Sequence, residues 1–126
     1  MITEDYVSFE TAKLLKEKGF DELCRAWYGG TGDIHENGEI MSNSDCALSS
    51  VMCPTLQMAM KWLREVHHLV IEIEFIDFLE NGEVWLYSIF ERKTIKRLTD
   101  KDEDFTEPSY EEACEAAIKY CLENLI

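Results

Sequence analysis

The chain has 126 residues, of which 46 % are apolar and 11 % aromatic, and this composition predicts one globular domain with a hydrophobic core. No apolar stretch reaches the roughly 20 residues of a spanning helix, and the N-terminus lacks the basic start of an export signal, so we expect a cytoplasmic protein outside the membrane. The net charge is −14, which argues against direct nucleic-acid binding because an acidic surface repels phosphates.

The five cysteines are predicted to be reduced thiols. Their number is odd, and no C-x-x-C pair occurs among them. The nearest arrangement to a zinc site is Cys46, Cys53, His67 and His68, but its two cysteines are too far apart for one tight turn to aim both at a metal. We therefore predict no metal site and no cofactor.

The N-terminal part begins with a predicted helix. Ser8 is suited to cap its first turn, the helix spans about residues 9–18, and Gly19 can close it in a left-handed conformation. Three apolar residues spaced three apart form the buried stripe of this helix: Phe9, Ala12 and Leu15.

A strand and a glycine-rich segment are predicted next. Residues 23–28 have the alternation and the aromatic content of a strand. Four of the six glycines lie in residues 29–39, which predicts a long mobile loop that leads to a short strand near Ile40.

The second half predicts a helix followed by a hairpin. Pro54 suits a first helical turn, and apolar residues recur at steps of three and four over about residues 55–67. Residues 69–78 then alternate with period two, residues 83–90 form a second strand, and Asn81-Gly82 between them is typical of a two-residue hairpin turn.

The last predicted element is a helix that starts at a capping box formed by Ser109 and Glu112. Its apolar face comprises Tyr110, Ala113, Cys114, Ala117, Cys121 and Leu125. The predicted order is α-β-β-α-β-β-α, a single α+β domain over residues 1–126 in which helices pack on an antiparallel sheet.

Three segments of the chain carry a resemblance: SFETAKLLKEKGFDE (8–22), CPTLQMAMKWLREVHHLVIEI (53–73) and SYEEACEAAIKYCLENLI (109–126). They resemble an uncharacterised family of small acidic proteins encoded by phages, prophages and mobile elements of gut bacteria of the Bacteroides group. The resemblance implies an accessory protein made inside a bacterial cell. It supplies no catalytic or binding residues to transfer to this chain.

Two charged segments are candidate binding sites. Asp100, Asp102, Asp104 and Glu111 match the oxygen positions of a calcium-binding loop, but Phe105 replaces the glycine that such a loop needs, so we predict a solvated acidic loop. The basic segment of Arg92, Lys93, Lys96 and Arg97 is suited either to contact phosphates or, as we favour, to guard an exposed strand from edge pairing.

The hairpin carries the predicted binding surface. With a two-residue turn, Phe78 faces Trp85 and Ile76 faces Tyr87, so these four side chains share one face of the sheet. A four-residue loop keeps this division, whereas a three-residue loop ending at Gly82 would instead place Val84 and Leu86 beside Ile76 and Phe78. Aromatic side chains with a carboxylate rim are typical of protein-binding hot spots. The alternative is that helix one, or a second copy of the chain in a homodimer, covers this surface and makes it part of the core or of a dimer interface.

The sequence contains no catalytic motif, so we do not predict an enzyme. We expect a protein-interaction module with a protein partner still to be identified. The alternative is an acidic decoy that imitates DNA and inhibits a DNA-binding protein, which requires the acids to form one continuous face.

Overall fold

The computed structural model describes residues 1–36, 38–78, 82–100 and 105–126, and within these ranges it contains three α-helices and two three-stranded antiparallel sheets. The predicted α+β class is confirmed, and two short strands, Val51–Met52 and Thr106–Glu107, are added to the predicted order. The elements are α1 (Phe9–Glu17), β1 (Trp27–Tyr28), β2 (Ile34–His35), β3 (Val51–Met52), α2 (Leu56–Val66), β4 (Leu69–Phe78), β5 (Gly82–Glu91), β6 (Thr106–Glu107) and α3 (Tyr110–Tyr120). The chain divides into two compact units, Met1–Ala59 and Met60–Ile126, which are described separately.

Helix α1 begins and ends as predicted. The Ser8 hydroxyl accepts a hydrogen bond from the Thr11 amide at 3.2 Å. At the other end Gly19 has a φ of +95°, and its amide donates to the Lys16 carbonyl. The Phe20 amide donates to the Leu15 carbonyl at 2.9 Å, which completes a Schellman motif and satisfies the last helical carbonyls.

The first sheet has the strand order β2-β1-β3. The predicted long loop with a strand near Ile40 was wrong, because the glycine-rich segment turns tightly. The Gly29 amide donates to the Asp33 carbonyl at 2.9 Å, so the returning strand starts at Ile34. Farther along, Met41 forms a single isolated bridge with Cys24.

A buried asparagine connects three parts of the first unit. The Asn43 side chain donates to the Phe20 carbonyl at 2.7 Å and accepts from the Met52 amide at 2.9 Å. It therefore joins the end of α1 to strand β3. Its side chain thus provides a donor for the Phe20 carbonyl and an acceptor for the buried Met52 amide.

Helix α2 starts one residue later than Pro54 suggested. The Thr55 hydroxyl accepts from the Met58 amide at 3.2 Å, so Thr55 is the cap and Pro54 precedes it. The N-terminal segment runs alongside this start, since the Val7 amide donates to the Pro54 carbonyl and the Leu56 amide donates to the Asp5 carbonyl.

In the second unit β4 pairs antiparallel with β5, as predicted, but in another register. Ile76 pairs with Val84, and the last pair is Phe78 with Gly82. The predicted two-residue turn, which would pair Phe78 with Trp85, was therefore wrong. Val84 shares a face of the sheet with Ile76, as in the three-residue alternative, but Gly82 is itself paired and does not end a loop as that alternative required. Asn81 lies outside the described residues.

Helix α3 covers one face of this hairpin. The Ser109 hydroxyl accepts from the Glu112 amide at 3.1 Å, which confirms the predicted cap. A π-helical turn, Cys121–Leu125, follows the helix. The buried centre of the cluster between helix and sheet consists of Tyr87, Phe105, Ala113 and Ala117.

A histidine in this unit predicts a pH dependence of stability. Burial lowers the pKa of His67 and the charge of His68 lowers it further, while its Nε2 is buried without a hydrogen-bond partner among the described residues. The imidazole of His67 therefore binds a proton more readily in the unfolded chain than in the folded protein. The stability that is present above the ordinary histidine pKa of 6.5 is lost as the pH falls toward the lowered pKa of the folded protein.

We expect the variant His67→Phe, which retains an aromatic ring against Trp62, to lose less stability than wild type between about pH 7 and about pH 5.5. Urea unfolding at stepped pH values measures this slope. Equal slopes for the two proteins would contradict the prediction.

None of the five cysteines, which all lie in the described ranges, forms a disulfide bond. Burial raises the pKa of Cys114 to about 11 and that of Cys121 to about 12. These two thiols are therefore neutral near pH 7 and react slowly.

Among the described residues, no helix has both the length and the apolar character needed to cross a membrane.

Candidate functional site

The structure does not bring together the four residues of the predicted binding surface. Val84 pairs with Ile76 and shares its face of the sheet. Trp85 and Tyr87 lie one and three residues after Val84, so they are on the opposite face, which α3 covers. The Trp85 ring lies 5.4 Å from that of Tyr110, and the Tyr87 ring lies 5.3 Å from that of Phe105. Ile76 is on the opposite face. Phe78 is at the end of the strand, paired with Gly82.

The two charged segments have different outcomes. Asp102 and Asp104 of the candidate calcium loop lie outside the described residues. The basic segment forms a turn after β5, where Arg92 contacts Glu65 at 3.1 Å. Within the described ranges, no group of three or more histidine, cysteine or acidic side chains is arranged to hold a metal ion.

An apolar cavity of about 410 Å³ opens on the first unit. This volume is in the range of ordinary ligand pockets. We refer to it as the apolar cavity, and its lining includes Tyr6, Leu23, Cys24, Ile40, Cys53 and Met58.

Backbone pairing places the walls of this cavity. Cys24 and Met41 exchange two hydrogen bonds, of 2.8 and 3.1 Å, and so hold the segments around Leu23 and Ile40 side by side. The pairing of the N-terminal segment with the start of α2 brings Tyr6 opposite Thr55. The cavity is thus built from four segments that are separate in sequence.

The rim of the apolar cavity carries large side chains that are exposed to solvent. The exposed fractions are 36 % for Tyr6, 59 % for Leu23, 50 % for Ile40 and 38 % for Met58. Single exposed apolar residues are common on protein surfaces, but several around one concavity are typical of a binding site. They contribute little to the core, so a partner would gain from covering them.

The floor of the cavity includes two buried cysteines. Cys24 and Cys53 are buried, and the Cys24 sulfur lies 3.9 Å from that of Met58. Burial raises the pKa of Cys24 to about 11, and the nearby Glu22 adds to this shift. The thiol is therefore neutral at physiological pH, and the floor suits an apolar group better than it suits nucleophilic chemistry.

An acidic cleft of about 680 Å³ adjoins the apolar cavity and shares Tyr6 and Thr55 with it. Its lining holds the three carboxylates of Glu4, Asp5 and Glu36. Burial raises the pKa of Tyr6, and the negative charge of Glu36 raises it further, so the phenol lies within the field of this cleft. We refer to the apolar cavity and the acidic cleft together as the groove.

This groove could not be predicted from the sequence, because its residues share no motif or spacing. Leu23 and Ile40 lie in segments without regular structure. A large apolar residue in an irregular segment is the one feature of the sequence that could have indicated a binding surface here. Such a residue is weak evidence on its own. No family model, curated protein or solved structure matches the chain.

Proposed function

We propose that the protein is an interaction module that binds a segment of a partner protein in the groove. The proposal rests on one observation, the apolar cavity with exposed rim side chains that opens beside three carboxylates. Binding without catalysis agrees with the neutral thiol of Cys24. The resemblance to accessory proteins of bacterial mobile elements supports a role of this kind in the cytoplasm.

The chemistry of the groove selects the segment. An aliphatic side chain fills the apolar cavity and removes its rim from water, which is the larger favourable contribution. Cations beside that side chain meet the carboxylates of the acidic cleft and set its orientation. The lining of the apolar cavity contains one cation, Arg25, and the lining of the acidic cleft contains three carboxylates, so the charged residues of the groove are mainly negative. The expected segment therefore has an apolar residue between basic ones.

A synthetic peptide with leucine between two lysines tests this proposal. We expect saturable binding, followed by NMR, with shift changes at Leu23, Ile40 and Met58. A peptide with glutamates in place of the lysines should bind about tenfold more weakly, a difference of about 1.4 kcal/mol, because it meets carboxylates of like charge.

Two protein variants of equal charge provide the control. Met58→Lys places a cation at the rim and should weaken binding at least about tenfold. Leu48→Lys makes the same change at a fully exposed residue outside the lining and should bind as wild type does. Equal binding of both peptides, or unchanged binding by Met58→Lys, would contradict the proposal.

The decoy alternative requires one continuous negative face. Within the described residues of the second unit, the turn after β5 exposes Arg92, Lys93 and Lys96, and Arg92 lies 3.1 Å from Glu65, so positive charge stands beside an acid of this unit. No described surface specifically favours imitation of DNA, so the interaction module is the function that we propose.

A further inference from the structure

A turn in the second unit presents an apolar side chain in a strained conformation. The turn follows β5, and the chain then pairs back through the bridge between Phe90 and Arg97. Ile95 is 79 % exposed, and its φ of 59° lies in the left-handed region. That region disfavours a β-branched residue, and exposure means that the side chain adds little to the core. Packing of this turn gives no reason for isoleucine.

Hydrogen bonds hold this turn in one shape. The Glu91 carboxylate accepts from the Thr94 amide and from the Thr94 hydroxyl, each at 2.7 Å. The Ile95 amide donates to the Glu91 carbonyl at 2.9 Å, and the Glu91 amide donates to the Lys96 carbonyl at 2.8 Å. A partner that binds this turn therefore loses little conformational entropy.

Two exposed lysines flank the isoleucine. Within the described ranges, neither Lys93 nor Lys96 has a carboxylate at ion-pair distance, whereas Arg92 is paired with Glu65 at 3.1 Å. We refer to residues 93–96 as the basic turn. It combines an exposed aliphatic side chain with two available positive charges.

We propose that the groove of one copy of this chain binds the basic turn of a second copy. The inference rests on the proposed function of the groove and identifies its partner. Ile95 has the chemistry that the apolar cavity requires. Lys93 and Lys96 are complementary in charge to the three carboxylates of the acidic cleft.

Such a contact joins two different surfaces, so a bound pair still presents one free groove, on one copy, and one free basic turn, on the other. Contacts of this type build rings or open chains. The contact is small, so it belongs to the weak class of interfaces and depends on concentration. The charge of −14 on each copy opposes association at long range, but about 0.15 M salt screens this repulsion while contacting pairs persist.

Analytical ultracentrifugation of the full chain tests the proposal. At about 0.15 M salt, we expect the average mass of wild type to rise between about 10 µM and about 1 mM protein. Ile95→Gly should remain monomeric, and it should fold because glycine accepts the left-handed backbone at this position. Met58→Lys should also remain monomeric, and Leu48→Lys should associate as wild type does.

Mixing the two monomeric variants is the decisive measurement. Ile95→Gly retains its groove, and Met58→Lys retains its basic turn, so an equimolar mixture should form a dimer with one copy of each. A mixture that stays monomeric, or a wild type that is monomeric throughout the concentration range, would overturn the proposal. Circular dichroism of each variant confirms that it is folded.

The outcomes also separate this inference from the proposed function. If wild type stays monomeric while the leucine peptide binds in the groove, the self-association fails and the interaction module stands. If Ile95→Gly associates as wild type does, the basic turn is not the ligand. If Met58→Lys associates as wild type does, the groove is not the receptor, and the peptide measurement then shows whether it binds any segment.

Discussion

Replacing Tyr87 by alanine is expected to lower the free energy of unfolding by about 3–5 kcal/mol. The side chain is 8 % exposed, and its ring contacts that of Phe105 at a centroid distance of 5.3 Å. Truncation leaves a cavity against α3, where Ala113 and Ala117 are too small to fill the space. Denaturant unfolding followed by circular dichroism measures the loss.

The matched control is Tyr87→Phe, which keeps the ring and removes only the hydroxyl. It should retain most of the stability, and its loss measures the interactions of the hydroxyl alone. A loss below about 1 kcal/mol for Tyr87→Ala would show that the ring is not part of the core. That result would restore this residue to the predicted binding surface.

Replacing Asn43 by alanine is expected to lower the free energy of unfolding by about 2–4 kcal/mol. The change removes the donor to the Phe20 carbonyl and the acceptor from the Met52 amide, at 2.7 and 2.9 Å. The buried Met52 amide is then left without its acceptor and the Phe20 carbonyl loses this donor, which costs more than the lost hydrogen bonds themselves contributed. Thermal or denaturant unfolding measures the effect.

Ser44→Ala is the control for this variant, because the exposed neighbour keeps its backbone bond to the Asp21 carboxylate. Its stability should change by less than about 0.5 kcal/mol. If Asn43→Ala were as stable as Ser44→Ala, water would have to replace the amide, and Asn43 would not connect α1 to β3.

The ends of the helices follow from local sequence. Ser8 and Ser109 cap the next turn through their own hydroxyls, and Gly19 closes α1 because it accepts a φ of +95°. Each of these choices depends on bonds within a few residues, so the pattern predicts them without the rest of the fold. The alternation that marks β4 and β5 is local in the same way.

The hairpin register needed the tertiary structure. Asn81-Gly82 is a strong local signal for a two-residue turn, yet the observed pairing of Ile76 with Val84 places Trp85 and Tyr87 against α3. The buried area that these two rings gain on the helix outweighs the preference of a turn dipeptide. A shift of this kind moves side chains to the other face, which is why the predicted binding surface did not form.

The sequence alone determined the α+β class and the acidic charge, because the composition and the helix and strand periodicity of apolar residues carry that information. It also showed that the cysteines lack the number and spacing of a disulfide framework. Only the tertiary structure decided the groove. The exposed side chains of its rim come from four separate segments: Tyr6, Leu23, Ile40 and Met58. The local sequence around each of them does not indicate a binding site. They meet because backbone bonds such as those between Cys24 and Met41 bring these segments together, and no spacing along the chain records such long-range contacts.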